Sequence, residues 1–177
     1  MRNQLIGILI LTFGLLHHSC KKTTVEPTTP INQISNSSFE VDDKPSLVGW
    51  SPSDTTDFIK FSNDVPQNGG NWSVRIETVW GPPPRIRATL QPSEGTHRYQ
   101  LSTWSKKQGI GGTIYVFLNS TLRKSVVVSD TVWNVYTIID TISASSADSI
   151  SIQLAGGFSQ ILAGKTYYDL CTFQKLD

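Results

Sequence analysis

Few residues in this chain have the types and the spacing that catalysis requires. His97 is the only histidine beyond the first 18 residues, and the sequence holds no Gly-x-Ser-x-Gly elbow, His-Glu-x-x-His motif or phosphate-binding loop. The acidic residues of the middle of the chain show no spacing that would pair them for glycoside hydrolysis. We therefore expect that the protein is not an enzyme.

Cys20 is the residue with the clearest chemical role, because of the sequence before it. Arg2 precedes an apolar run over residues 5–16, and Ser19 comes directly before the cysteine. This order is typical of a secretory signal peptide, and the run is shorter than the ~20 residues of a membrane-spanning helix. The boundary resembles the lipobox of bacterial lipoproteins, in which the cysteine is lipidated. We expect a signal peptide over residues 1–19 and a lipid anchor at Cys20, the alternative being an ordinary signal peptide with an unmodified cysteine.

Charge and cysteine content narrow the range of partners. The chain has 15 basic and 14 acidic residues and a formal net charge of +1, with no basic stripe, so we expect no binding to nucleic acid. If Cys20 is lipidated, Cys171 is the only other cysteine and has no partner for a disulfide. We expect Cys171 to be a buried structural thiol. Residues 20–33 are the lipidated cysteine and a polar tether rich in Thr and Pro.

The rest of the chain, residues 34–177, alternates apolar and polar residues in short segments. Turn-forming sequences such as Asn68-Gly-Gly70 separate these segments. No stretch of ten or more residues shows the period of a helix. About eight strands at short spacing indicate an all-β fold, either a β-sandwich or a barrel, and we predict a single sandwich domain. The predicted strands lie in the segments 72–79, 85–90, 99–104, 113–118, 125–128, 133–139, 149–154 and 166–173.

Three groups of residues in this domain occur in a familiar order. The domain opens with Asn36-Ser-Ser-Phe-Glu40 and Gly49-Trp50, continues with Tyr99-Gln-Leu-Ser-Thr-Trp-Ser-Lys106, and closes with Trp133-Asn-Val-Tyr136 and Tyr168-Asp-Leu170. This order resembles the family-4 and family-9 type carbohydrate-binding modules. The resemblance covers nearly the whole domain and implies a jelly roll with the galactose-binding-like fold and a carbohydrate ligand.

The same resemblance implies a structural metal ion. In many of these modules the opening Glu and the closing Asp bind calcium together with backbone carbonyls, and the matching residues here are Glu40 and Asp169. Calcium takes six to eight oxygen ligands of this kind, and an acidic side chain in an apolar last strand is costly without a partner. The alternative is that Asp169 binds arginine or backbone amides and that Glu40 is solvated.

Exposed aromatic rings flanked by polar side chains are typical of sugar-binding sites. Trp104 shares a strand face with Gln100, and Trp80 begins a proline-stiffened loop. Arg85 and Arg87 lie on one polar face, for which plain solvation is the alternative. The strand of Tyr115 is apolar on both faces, so it is either covered or the aromatic floor of a groove. The predicted ligand site on the concave sheet comprises Trp80, Arg85, Arg87, Gln100, Trp104 and Tyr115.

The other tryptophans are expected to be structural. Trp72 and Trp133 share strand faces with apolar residues, which predicts that they belong to the core, and Trp50 is expected to plug one end of the sandwich.

Two functions remain compatible with these observations. The first is a non-catalytic cell-envelope lipoprotein that binds an oligo- or polysaccharide. The second is a structural or protein-interaction subunit that docks another envelope protein and has no glycan ligand. The signal and the Lys21-Lys22 pair resemble those of Gram-negative lipoproteins, so we expect the outer membrane, contacted through the lipid alone.

Overall fold

A computed structural model describes residues 31–53 and 56–177, so the predicted signal peptide, Cys20 and most of the tether lie outside the described residues. The described part contains no α-helix, only a 3₁₀ turn at Thr56–Phe58, and no helix in it is long and apolar enough to cross a membrane. The strands are β1 (Glu40–Val41), β2 (Lys44–Pro45), β3 (Ser51–Pro52), β4 (Ile59–Ser62), β5 (Ser73–Glu77), β6 (Arg85–Leu90), β7 (Gly95–Gly109), β8 (Thr113–Leu118), β9 (Thr121–Val127), β10 (Asn134–Ala144), β11 (Ile150–Ala155) and β12 (Gly164–Lys175).

Two five-stranded sheets form the sandwich. Sheet I has the order β3-β6-β11-β8-β9, and sheet II has the order β10-β7-β12-β5-β4. Every pair of neighbouring strands in both sheets is antiparallel. The strands β6, β7, β8 alternate between the two sheets, as in a jelly roll. The predicted all-β sandwich is confirmed.

The core lies between the sheets and follows from the two-residue period of each strand. On β6, Ile86 and Ala88 are buried while Arg87 between them is exposed. On sheet II, the buried rings of Tyr99 and Phe173 stack with centroids 5.2 Å apart and an interplanar angle of 7°. Burying an aromatic or aliphatic side chain of this size contributes ~1.5–3 kcal/mol, so packing of these faces holds the sheets together.

Cys171 belongs to this core. It is fully buried as a free thiol, and burial raises its pKa to about 12. A thiol with so high a pKa is inert at neutral pH, because the thiolate is the reactive form. The prediction of a buried structural thiol is confirmed.

The tryptophans divide differently from the prediction. Trp50 is buried, packs 5.2 Å from the Phe39 ring and donates from Nε1 to the Asn36 carbonyl, so its structural role is confirmed. The prediction that Trp72 and Trp133 belong to the core is wrong, since both are only partly buried. Trp72 stands directly before the first residue of β5. Trp133 shares a face with Val135 and Ile139, and that face is the exposed one of β10.

Candidate ligand groove and cation site

A row of three polar and aromatic side chains crosses the outer face of sheet I. The register pairs Gln153 of β11 with Arg87 of β6 on one side and with Tyr115 of β8 on the other. Adjacent strands lie ~4.8 Å apart, so the row extends ~10 Å across the sheet. A guanidinium, an amide and a phenol ring thus stand side by side on one surface.

A second row lies one pleat further along the same strands. Here Ser151 of β11 is paired with Thr89 and with Phe117. Its hydroxyl is buried and has no hydrogen-bond partner among the described residues. The Phe117 ring lies 5.9 Å from the Tyr115 ring at an angle of 40°. The two rows present hydrogen-bonding groups along the middle of the sheet and aromatic rings on one side.

A cavity of about 530 Å³ opens over Arg87, Gln153 and the second row, within the ~300–1,000 Å³ that small-molecule sites occupy. Tyr115 ends the first row, next to Gln153, and is not among the residues that line this cavity. We call this cavity, together with the two rows, the groove. A smaller cavity of about 250 Å³ lies on the β3 side and is lined by Ser51 and Pro52 together with Arg85 and Arg87. The residues that line the larger cavity include Arg85, Arg87, Phe117, Asn119, Ser151 and Gln153.

The structure brings together only part of the predicted site. Arg85, Arg87 and Tyr115 lie on sheet I, but Gln100 and Trp104 are residues of β7 in sheet II. Their grouping into one site is wrong, because β7 lies in the opposite sheet from β6 and β8, and the outer faces of the two sheets point away from each other. The predicted face of β7 itself is correct, since every second residue from 99 to 105 is buried.

Trp80 lies in the loop before β6 and is 77% exposed, outside the residues that line the groove. Its neighbour Val79 forms a bridge to Phe158 in the loop before β12. Phe158, Ile161 and Leu162 are also exposed. The prediction that Trp80 is exposed in a loop is correct, but it belongs to an apolar loop tip and not to the groove.

Two aromatic rings on the outer face of sheet II contact a cation of the chain itself. The Lys106 ammonium lies 5.2 Å from the ring centroids of both Trp133 and Tyr167. It also forms an ion pair with Asp64, whose other oxygen accepts a hydrogen bond from Trp133 Nε1 at 3.1 Å. Because the ammonium, the carboxylate and the two rings already interact with one another, fewer unpaired groups are available to a ligand here than in the groove on sheet I.

Sequence reasoning missed Gln153, Ser151, Phe117 and Asn119. The alternation of residues 149–154 already places Ser151 and Gln153 on one polar face, so their orientation could be predicted. Alternation does not indicate that this strand pairs with the strands of Arg87 and Tyr115, which becomes known only from the fold.

The predicted metal ligands Glu40 and Asp169 do meet. Asp169 is fully buried, its Oδ1 accepts the Leu170 amide at 2.7 Å, and its Oδ2 has no partner among the described residues. Burial, together with a smaller effect of the nearby Glu40 charge, raises the pKa of Asp169 to about 8. Two carboxylates that repel each other, one with an unpartnered buried oxygen, are what an enclosed cation would stabilise.

Two glycines leave the space that these carboxylates occupy. A Cβ at Gly70, which has φ +74°, would collide with Glu40, and one at Gly69 would collide with Asp169 Oδ2. The Asn71 amide donates to Glu40 Oε2 at 2.9 Å. The described residues contain no group of three or more His, Cys, Asp or Glu side chains that could hold a metal. A cation here would need carbonyl oxygens besides the two carboxylates, a donor set that fits calcium.

No protein-family model matches the chain, and no curated protein matches its sequence. Solved structures do share its fold. TmCBM61, solved with β-1,4-galactotriose, has a TM-score of 0.54 and 16% identity, covering 82% of this chain and 99% of its own. A family 16 carbohydrate-binding module has a TM-score of 0.57 and 15% identity, with 80% and 99% covered. The Stig cyclase Fisc from Fischerella sp. TAU has a TM-score of 0.60 and 11% identity, with 83% and 98% covered.

These likenesses establish the fold. The chain has the jelly-roll architecture of carbohydrate-binding modules, as the order of its sequence motifs implied. The same architecture also occurs in a cyclase, so the function has to be argued from the site.

Proposed function

We propose that the protein is a non-catalytic carbohydrate-binding domain whose ligand lies in the groove on sheet I. The observation that carries the proposal is the row of Arg87, Gln153 and Tyr115 across three adjacent strands. The strands hold these side chains at fixed spacing, so little conformational entropy is lost when a ligand binds. The groove is a formed site before the ligand arrives.

The chemistry of the two rows suits a sugar chain. The Gln153 amide both donates and accepts hydrogen bonds, as sugar hydroxyls require. The Tyr115 and Phe117 rings offer apolar faces for the C–H surface of a pyranose. Among the described residues that line the groove there is no carboxylate pair and no nucleophile beside a base. Binding without bond cleavage is therefore the activity that we assign.

We further propose that calcium binds at Glu40 and Asp169 as a structural ion. Calcium would supply the positive charge that two adjacent carboxylates lack. Glu40 begins the short β1–β2 hairpin, and its backbone N–H donates to Asn36 Oδ1 at 3.1 Å. Asp169 belongs to the central strand β12. The ion would thus tie the opening segment of the domain to its central strand.

The location of the protein is part of the same proposal. The signal over residues 1–19 would direct export, and Cys20 would carry the lipid anchor in the outer membrane of a Gram-negative bacterium. A binding domain anchored in this way would hold a polysaccharide near the cell.

A second candidate function is docking of an envelope protein, and the apolar loop tip favours it. Trp80, Phe158, Ile161 and Leu162 are all more than half exposed. Exposed apolar patches are typical of protein-interaction sites. Pull-down from envelope extracts with wild-type protein and with Ile161→Asp tests this candidate independently of the groove.

Screening of the purified protein on a glycan array tests the main proposal. Variants Gln153→Ala and Tyr115→Ala should lose the binding that the wild-type protein shows. Gln100→Ala is the matched control, because Gln100 lies on the outer face of sheet II and its loss should change nothing. Binding that survives in Gln153→Ala and Tyr115→Ala, or a blank array with folded protein, would contradict the proposal.

A further inference from the structure

We propose that the groove selects acidic glycans and that Arg85 and Arg87 recognise their negative charge. This inference rests on the proposed function, because it names the class of carbohydrate that the groove would bind. A guanidinium binds a carboxylate or sulfate through two parallel charge-assisted hydrogen bonds, which a neutral hydroxyl cannot match.

The position of the two arginines is the first observation. They lie two residues apart on β6 and point to the same outer face, where both are exposed. Both also line each of the two cavities on this face, the one of about 530 Å³ and the one of about 250 Å³. A glycan that extends from one cavity into the other has to pass both guanidinium groups.

The second observation is that neither guanidinium is paired with a carboxylate of the described residues. Arg75 and Arg123 each pair with a carboxylate, at 3.0 Å to Glu77 and 3.1 Å to Asp140. Arg85 and Arg87 form no side-chain hydrogen bond or ion pair within the described part of the chain. Their charges are therefore available to a ligand.

The third observation is the absence of opposing charge among the described residues of the two cavities. None of the described side chains that line them is acidic, and the two arginines are the only formally charged residues among these side chains. Asp148 contacts the groove residue Asn119, but it already accepts hydrogen bonds from Asn119 Nδ2 and from the Ser145 amide and hydroxyl.

These observations favour an anionic ligand over a neutral one. A neutral sugar that covers Arg85 and Arg87 would remove water from two like charges without supplying a counter-charge, which is costly. A uronate carboxylate or a sulfate supplies that counter-charge. Gln153, next to Arg87 in the row, would bind hydroxyls of the same or the next sugar.

The test compares polysaccharides that differ in charge alone. Affinity is measured by calorimetry for polygalacturonate against its fully methyl-esterified form and for polymannuronate against β-1,4-mannan, whose second members are neutral. Chondroitin sulfate is compared with desulfated chondroitin, which keeps its carboxylates. We expect at least one acidic polymer to bind about tenfold or more tightly than its neutral partner. The chondroitin pair distinguishes sulfate from carboxylate as the recognised group, and either result supports the inference.

Substitutions of single arginines test whether the preference for acidic polymers arises in the groove. Arg87→Gln should weaken binding of the acidic polymer about tenfold and leave the neutral one unchanged, while Arg87→Lys should be intermediate because it keeps the charge and loses the fork. Arg98→Gln removes an equal charge from an exposed site on sheet II and should have no effect. Unchanged melting temperatures show that the variants are folded.

Two results would overturn the inference and leave the proposed function intact. One is equal or tighter binding of neutral polysaccharides. The other is an equal loss in Arg98→Gln and Arg87→Gln, which would indicate non-specific attraction. Failure to bind any glycan, acidic or neutral, would instead refute the proposed function, and the inference with it.

Discussion

In the metal-free protein, the buried carboxyl of Asp169 should make the free energy of unfolding fall as the pH rises, and Asp169→Asn should abolish that contribution. Burial raises the pKa of this carboxyl to about 8, whereas in the unfolded chain it returns to about 3.9. Between these values the folded protein holds a proton that the unfolded chain has released. The stabilisation is complete below the unfolded pKa and is lost as the pH rises through about 8.

The magnitude follows from this difference of one proton. The free energy of unfolding should fall by about 1.4 kcal/mol per pH unit inside this window, or by about 3 kcal/mol from pH 5 to pH 7. Asn cannot titrate, so Asp169→Asn should lack this slope. All other titratable groups are shared by both proteins, so the difference between the two slopes isolates Asp169.

The assay is urea unfolding at pH 5, 6 and 7 in EDTA, repeated with calcium. In EDTA the wild-type protein should lose stability relative to Asp169→Asn as the pH rises. With calcium the wild-type protein should gain most at the higher pH, because the ion displaces the proton, and Asp169→Asn should gain little. Equal pH slopes for the two proteins in EDTA would refute the burial argument, and an equal response to calcium would refute the assignment of Asp169 as a ligand.

Three further predictions test the packing. Gly70→Ala should lower the free energy of unfolding by about 1–3 kcal/mol, because φ is +74° and the new Cβ collides with Glu40; unchanged urea midpoints would contradict this. Cys171 should react with a thiol reagent only after global unfolding, as its burial requires, and fast labelling of native protein would show that the core opens locally. Phe173→Ala should cost about 3–5 kcal/mol through lost stacking on Tyr99, and a melting temperature within a few degrees of wild type would contradict the described core.

The sandwich was predictable because its strands follow a two-residue period. On β6 the sequence Arg85-Ile-Arg-Ala-Thr-Leu90 already separates the buried from the exposed face. The same reasoning failed for Trp133, because the apolar residues with which it alternates, Val135 and Ile139, lie on the exposed face of β10. It failed for Trp72, which precedes β5 and donates from Nε1 to the Asp43 carbonyl. The period separates two faces of a strand but does not determine which of them is buried.

The ligand site was predictable only in part, because its members come from strands distant in sequence. Arg87, Tyr115 and Gln153 are each recognisable in the sequence as polar or aromatic positions, but their adjacency depends on the pairing of β6, β11 and β8. Trp104 is 17 positions after Arg87 in the chain, yet it lies in the other sheet. Alternation within single strands does not contain that information.

The measurement that tests the central claim most directly is the affinity of wild-type, Gln153→Ala and Gln100→Ala proteins for the polysaccharide that the array identifies. If the groove on sheet I is the binding site, Gln153→Ala loses about tenfold or more in affinity and Gln100→Ala binds like the wild-type protein. Equal affinities for the wild-type and Gln153→Ala proteins, or a loss confined to Gln100→Ala, would contradict the account.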